Sequence, residues 1–336
     1  MHPILGPIEE NAARRPQRIA ASDPAGEWTY ADLTAALRRM AARLARTPPD
    51  RRIGILAPTS ALHAAAILAC WRAGRTPTPL NFLLPSDVLA RVIADAEIGL
   101  LLAAEPFAPL AEQLPVESAK LESLAGEAKD APPPADAPSV APNDLAALLY
   151  TSGTSGDPKG VRLTFGNLAE NVRASIAHLK LAPDQQFVGL LPQFHSFGFT
   201  MTTLLPLMLG ASIAYLPRFS PVGLVETIRQ RRVTILIAVA SMYGALLKLR
   251  DVASDAFASV RLAISGGEPL PASVAAAFEQ RFGVPILEGW GLTETSPVVS
   301  VNTPWNHKPG SVGKPIPDVG VCAVDEQRRP LPAGRE

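Results

Sequence analysis

Leu145-Ala146-Ala147-Leu148-Leu149-Tyr150-Thr151-Ser152-Gly153-Thr154-Ser155-Gly156-Asp157-Pro158-Lys159-Gly160-Val161-Arg162-Leu163 is a pair of apolar pieces around a polar turn. Leu145 to Leu149 has the length and unbroken apolar character of a buried strand, and Val161 to Leu163 is a second, shorter one. Between them, Gly153, Gly156 and Gly160 permit backbone angles closed to other residues and let a ligand come near the main chain. Thr151, Ser152, Thr154 and Ser155 add hydroxyl donors to the freed backbone N–H groups, and Lys159 adds a cation. Donors plus one positive charge in such a turn suit a polyphosphate. The turn is not the common P-loop. Pro158 stands where the second glycine of G-x-x-x-x-G-K-[ST] belongs, and Gly160 where its Ser or Thr belongs. A polar surface loop without a ligand is built from the same residue types.

On both sides of this stretch, short apolar runs alternate with helical patterns. Tyr30 to Ala45 is helical by the spacing of Leu33, Leu37, Met40 and Leu44, after a short helix over Glu9 to Arg14. Ile53 to Leu56 reads as a strand, Thr59 or Ser60 as the cap of a helix reaching Ala73, and Gly74 as its stop. Ser86 caps the next helix, to Ala96, before a strand at Ile98 to Leu102. Gly126 to Pro142 has five prolines from Pro132 onward and few large apolar residues, the composition of an extended linker. Further strands fall at Phe187 to Leu190, Ile213 to Leu216, Thr234 to Val239, Val260 to Ser265 and Pro285 to Glu288, with helices between them. Strand–helix alternation implies parallel sheets covered by helices. The simplest architecture is α/β, two α/β subdomains joined near the linker.

Composition narrows the function classes. In 336 residues, 31 basic balance 31 acidic side chains, so no basic field argues for nucleic acid. Cys70 and Cys322 lie too far apart for a metal spacing or a disulfide framework, and Cys70 sits in an apolar helical run as a small hydrophobe. The start, Met1-His2-Pro3-Ile4, has no basic region before an apolar core, so a cytoplasmic location is expected. Gln185 to Pro217 carries no charge, but Pro192, Pro206, Gln193 and His195 interrupt it, and a buried strand, loop and helix are expected rather than a membrane span.

Three further stretches carry polar groups at strand ends. Phe194-His195-Ser196-Phe197-Gly198 follows a strand, where open α/β sheets place ligands; a histidine satisfied in a packed turn is the other reading. Ile264-Ser265-Gly266-Gly267-Glu268-Pro269-Leu270 is, on its residues, a tight strand-to-helix turn. In Glu288-Gly289-Trp290-Gly291-Leu292-Thr293-Glu294-Thr295 an aromatic between two glycines offers a flat surface to a base. Glu294 supplies the hard oxygen that Mg²⁺ prefers beside phosphate oxygens.

The run from Tyr150 to Gly160 resembles the phosphate-binding signature of the AMP-forming adenylating enzymes: a hydrophobic residue, then a Ser/Thr/Gly-rich run closed by Pro-Lys-Gly. That superfamily holds acyl-CoA synthetases, luciferases and peptide-synthetase adenylation domains, and the resemblance extends over nearly the whole chain. It implies an enzyme that joins a carboxylic acid to the α-phosphorus of ATP and then to a thiol. ATP/AMP and Mg²⁺ would be its cofactors, and CoA or an acyl-carrier protein the acceptor. It implies phosphate contacts from Thr151, Ser152, Gly153, Thr154, Ser155, Gly156 and Lys159, and an adenine site at Gly267, Glu268, Pro269, Glu288, Gly289, Trp290 and Gly291. Thr293 would bond the α-phosphate and Glu294 hold Mg²⁺, while His195, in a Pro-x-x-His-x-x-Gly pattern with Pro192 and Gly198, would meet the acyl carboxylate. Lys159, His195, Thr293 and Glu294 are thus the expected catalytic set.

The apolar runs Phe197 to Leu209 and Ala238 to Leu247 suggest walls for a medium- or long-chain fatty acid, with peripheral membrane contact open. In the family, residues 1–316 would form the large N-terminal domain, with its linker about 126–142, and residues 317–336 would begin a small β-barrel. The family's ribose-binding Asp and C-terminal catalytic Lys have no counterpart in these residues, so little turnover is expected of this chain alone. A catalytically silent nucleotide- or acyl-binding module is the alternative.

Overall fold

The computed structural model describes residues 2–48, 52–126, 137–151, 158–332 and 334. Its largest sheet has nine strands, in the order Lys314–Pro315, Val298–Val301, Ile286–Gly291, Leu262–Ser265, Ile235–Ala238, Gln186–Gly189, Ser212–Tyr215, Ile19–Asp23 and Gly26–Thr29. The run from Ile286–Gly291 to Ile19–Asp23 is parallel, and the strands beyond it at both edges are antiparallel. Ser212–Tyr215, Ile235–Ala238 and Leu262–Ser265 are buried at every position. Burial on both faces is why they read as unbroken apolar runs rather than as alternating ones.

A second, all-parallel sheet holds Pro77–Pro79, Arg52–Leu56, Ile98–Ala103 and Ser118–Lys120. The alternating α/β architecture is as expected, but the two sheets are not consecutive in the chain. Ile19–Asp23 and Gly26–Thr29 precede the four-stranded sheet in sequence yet pair beside Ser212–Tyr215. No local pattern marks that exchange, which is decided by pairing to a strand nearly two hundred residues away.

The strand Leu145–Thr151 pairs with Lys159–Thr164 in an antiparallel hairpin of its own. Helix Ala61–Arg72 locks against it: eleven of its twelve residues are buried, and the Trp71 indole N–H donates to the Ala146 carbonyl at 2.7 Å. A helix buried all round can be this rich in alanine because it has no solvent face to fill. Cys70 lies in it as a buried free thiol, and His63 is fully buried there.

Two helix starts differ from expectation. The first helix is Leu5–Arg14, beginning before Glu9, because the His2 ring accepts from the N–H groups of Ile4 and Leu5 and caps the turn. Ser86 is the first residue of helix Ser86–Asp95 and not its cap; Pro85 holds that position and makes no side-chain bond. The uncharged stretch resolves into strand Gln186–Gly189, a loop, the contiguous helical segments Ser196–Phe199, Thr200–Leu204 and Leu205–Leu209, and strand Ser212–Tyr215. Among the described residues no helix is long and apolar enough to cross a membrane. Most of the proline-rich linker lies outside the described residues, and 137–141 carries no helix or strand. After Lys314–Pro315 the described residues form one isolated bridge, Val324 with Pro330, and close no barrel.

Candidate active site

The hairpin sets Thr151 opposite Lys159 as the pair that closes its turn. Ser152, Gly153, Thr154, Ser155 and Gly156 lie outside the described residues. The hairpin is anchored by Tyr150, whose phenol donates to Asp95 Oδ2 at 2.5 Å, and whose ring would lie 3.1 Å from a Cβ at Gly160. Burial, reinforced by that bond, pushes the Tyr150 pKa well up, so the phenol stays protonated and donating. The strand Lys159–Thr164 lies against the short turn Thr293–Thr295, which brings the two strongest sequence motifs side by side.

Beside them opens a cavity of about 580 Å³ at the carboxyl ends of the parallel strands. One wall is polar and backbone-rich: Thr151, Gly267, Gly289, Trp290, Gly291, Thr293 and Glu294. Gly267 has a φ of +83°, which favours glycine in that turn. Gly291 is required for a second reason: a Cβ there would lie 2.0 Å from the Pro297 carbonyl oxygen. Gly289 to Gly291 lie beyond the strand expected at Pro285 to Glu288; they continue the strand Ile286–Gly291 and pair with Val298–Val301. That pairing holds the Trp290 indole at the rim, 43 % exposed.

Four of the expected site residues are not in the cavity lining. Lys159 stands exposed at the hairpin. Pro269 is exposed in the turn after Gly267, and Glu268 there accepts from the Ser241 N–H at 2.5 Å, tying the turn to helix Ala240–Leu247. Glu288 reaches the Leu270 N–H at 3.4 Å, and its carbonyl receives both the backbone and the side-chain N–H of Asn302. Glu294, by contrast, is in the lining; it is exposed, and no described residue bonds its carboxylate.

Another part of the lining is apolar: Leu191, Phe197, Met201, Val239, Met242 and Ile264. It is shorter than the sequence suggested. Phe199, Leu204, Leu205 and Leu207, in the first of the two apolar runs, are fully buried core side chains, and only Val239 and Met242 of the second run reach the cavity. His195 belongs to the same lining. Its ring packs on Phe194 at 4.6 Å between centroids, Phe194 meets Phe82 edge-on at 5.2 Å, and Phe82 packs on Phe107 at 4.6 Å. The ring is open to the cavity but recessed within it, and this desolvation lowers its pKa, so near neutral pH it is an uncharged N–H donor. Gly198 allows the sharp turn, since a Cβ would lie 2.2 Å from the Pro192 carbonyl oxygen.

Among the described residues no three His, Cys, Asp or Glu side chains gather around a metal position. Mg²⁺ does not need such a cluster, because it keeps its waters and takes only one or two protein carboxylates beside phosphate oxygens. Glu294 fits that demand. Sequence reading missed the supports behind it. Asn171, buried in helix Phe165–His178, donates to the carbonyls of Thr295 and Val298 and accepts from the Val298 N–H. His178 bonds the Val301 carbonyl through Nε2 at 2.9 Å. Neither has a local signal, because each acts more than a hundred residues away.

The AMP-binding enzyme family model matches residues 8–336. A feruloyl-CoA synthase of Amycolatopsis is 32 % identical over 335 residues, covering 97 % of this chain and 67 % of that protein. A long-chain-fatty-acid–CoA ligase of Bacillus subtilis is 32 % identical over 197 residues, 58 % of this chain and 35 % of that protein. The crystal structure of ATP-bound MatB from Rhodopseudomonas palustris superposes with a TM-score of 0.88 at 27 % identity, covering all of this chain and 69 % of that one. The chain thus spans about two thirds of the length of the feruloyl-CoA synthase and of MatB. The match over residues 8–336, together with the fold and the cavity at its strand ends, places this chain in the AMP-binding enzyme family, among the relatives of the acid–CoA ligases.

Proposed function

We propose that this chain supplies the ATP and acid sites of an AMP-forming acid–thiol ligase. In that reaction a carboxylate oxygen bonds to the α-phosphorus of ATP as the bond to the β-phosphate oxygen breaks and pyrophosphate leaves. A thiolate, from CoA or an acyl-carrier protein, then takes the acyl carbon and AMP departs. The observation that carries the reading is one cavity lined both by backbone-rich residues from Gly267 to Glu294 and by apolar residues from Leu191 to Met242, with His195 in the same lining.

In this reading the hairpin turn, residues 152–156 with Thr151 and Lys159, receives the β- and γ-phosphates. Trp290 and the glycines beside it take adenine, with Glu268, Pro269 and Glu288 shaping that pocket from behind. Thr293 donates to the α-phosphate and His195 to the acid. Mg²⁺, when bound, neutralises phosphate charge, and Glu294 would hold it. Charge develops on phosphate oxygens, so the task of these groups is electrostatic. Residues 1–316 then form the large adenylation domain and 317–336 the beginning of the barrel.

The acid has an apolar body, and a fatty acid of medium or long chain is the proposed class; the short wall favours the medium end. Each methylene buried should add about 0.8 kcal/mol until the cavity is full. We place the ligase in the cytoplasm, with membrane contact at most peripheral. The 336 residues alone should bind ATP but adenylate slowly, because losing one positioned donor to the transition state costs about 10²–10³ in rate. Acid-dependent exchange of pyrophosphate into ATP, measured on this chain and on a version carrying the family's C-terminal domain, tests the proposal. Exchange that rises from butanoate to decanoate, and is stronger in the longer version, is the expected result. No exchange with any acid in either version would leave a silent binding module. Better exchange with acetate or benzoate than with octanoate would end the fatty-acid reading.

A further inference from the structure

Ser196 Oγ lies 3.0 Å from Thr293 Oγ1, across 97 residues of sequence. Both residues line the cavity. Ser196 is buried and follows His195 directly; Thr293 is half-buried and precedes Glu294. The contact is therefore the bond that joins the loop facing the acid to the loop facing the phosphates.

Both backbones are held independently of it. On the Ser196 side, the His195 N–H donates to the Pro192 carbonyl at 3.1 Å, the Phe199 N–H to the His195 carbonyl at 2.8 Å, and Gly198 is pressed against Pro192. On the Thr293 side, the Leu292 N–H donates to the Pro297 carbonyl at 3.0 Å and the Ser296 N–H to the Thr293 carbonyl at 3.2 Å, while Asn171 grips the Thr295 carbonyl at 3.1 Å. Two hydroxyls carried on such fixed frames meet because the frames place them, not because free side chains have drifted together. A hydroxyl has one hydrogen to give and two lone pairs to receive. When Ser196 gives its hydrogen to Thr293, the Thr293 hydrogen is left pointing away from that bond, available to an anion in the cavity.

We infer that Ser196 is a positioning residue: it orients the Thr293 hydroxyl as a donor to the phosphate nearest the acid, and so couples the acid side of the cavity to the nucleotide side. This rests on the ligase reading, because it needs Thr293 to face a phosphate. It assigns Ser196 a role through Thr293 rather than through contact with substrate, and it accounts for a hydroxyl buried in an otherwise apolar turn between His195 and Phe197.

The test is the affinity of the chain for AMP and for adenosine, by titration calorimetry, in wild type, Ser196→Ala, Ser196→Thr, Thr293→Val and the double variant Ser196→Ala/Thr293→Val. Ser196→Ala should weaken AMP about 3- to 10-fold, the range of one hydrogen bond, and leave adenosine within about twofold. Ser196→Thr, which keeps the hydroxyl, should retain most of the AMP affinity. The double variant should lose no more than Thr293→Val alone. An unchanged AMP-to-adenosine ratio in Ser196→Ala, equal losses of both ligands, or additive losses in the double variant would overturn the inference. Wild type that binds AMP no better than adenosine would instead overturn the phosphate site itself. Should Ser196→Ala not fold, Thr293→Val beside Ser196→Thr still decides: the inference requires a loss in the first and near-normal AMP affinity in the second.

Discussion

The two flanks of the nine-stranded sheet are paired by the same hydrogen-bonding rule and finished in opposite ways. At the flank of Gly26–Thr29 the polar groups named next are spent within the protein. Thr29 and Asp32 cap each other's end of helix Tyr30–Leu44, the Tyr30 hydroxyl donates to the Ala211 carbonyl at 2.9 Å, and Arg231 pairs with Glu27. At the other flank the strand Ile286–Gly291 ends in groups left open: Trp290 is 43 % exposed, Leu292 is 49 % exposed, and no described residue bonds the Glu294 carboxylate. Satisfied groups hold a fold; groups held rigidly but left unsatisfied are what a ligand can use. The second flank is no looser in its backbone, since Asn171, Asn302 and the Pro297 carbonyl fix it from behind.

Replacing one aromatic on each flank should separate these two uses. Tyr30→Ala removes a fully buried ring and strands the Ala211 carbonyl, and should cost about 3–5 kcal/mol of stability by urea unfolding. The closed flank would lose its special status if that variant unfolded near the wild-type midpoint.

Acid should act on the packed interior next. Burial lowers His2 and His63 from 6.5 to about 4. These bases stay neutral in the folded chain while the unfolded chain protonates, so their contribution is intact above about pH 6.5 and is lost as pH falls toward 4. Each should remove up to about 3 kcal/mol over that window. A urea midpoint that does not fall between pH 7 and pH 4.5 would contradict the burial of both rings.

Trp290→Ala belongs to the open flank. It should change stability by less than about 1 kcal/mol yet weaken adenosine and AMP alike by about 1–3 kcal/mol, the range for an aromatic stacked on a base. A loss of stability with no loss of nucleotide affinity would make this rim an ordinary surface. The smallest effect is expected of Glu294→Gln, which should weaken ATP about tenfold with Mg²⁺ present and hardly at all in its absence, because it removes one ligand of a metal held chiefly by phosphates. Equal ATP affinities of the two proteins in Mg²⁺ would remove Glu294 from that role.

What the sequence made legible follows from the same contrast. Strands buried on both faces, such as Ile235–Ala238, announce themselves as apolar runs, and the cap at Ser60 lies within three residues of the N–H group it serves. The motifs at Gly267, Trp290, Thr293 and Glu294 were readable because a backbone that approaches a ligand needs glycines at close spacing, and the cavity does gather them. Hidden were the relations between distant parts. Ile19–Asp23 crosses into the larger sheet, Asn171 and Ser196 reach the Thr293–Thr295 turn, and Glu268 is drawn away from the cavity by the Ser241 N–H. The apolar wall was overestimated for a related reason: Phe199 and Leu204 in the core and Met201 at the cavity are alike in sequence, and only their placement separates packing from lining.

The central claim is that one cavity holds acid and nucleotide together. It is tested most directly by titrating the chain with octanoyl sulfamoyl adenosine, a stable mimic of an acyl-adenylate, beside AMP and octanoate. A ligand that fills both walls at once should bind at least about 100-fold more tightly than AMP, as mimics of tightly held reaction species do. Binding no tighter than that of AMP would mean that the apolar wall from Leu191 to Met242 does not receive the acid, and the account would fail.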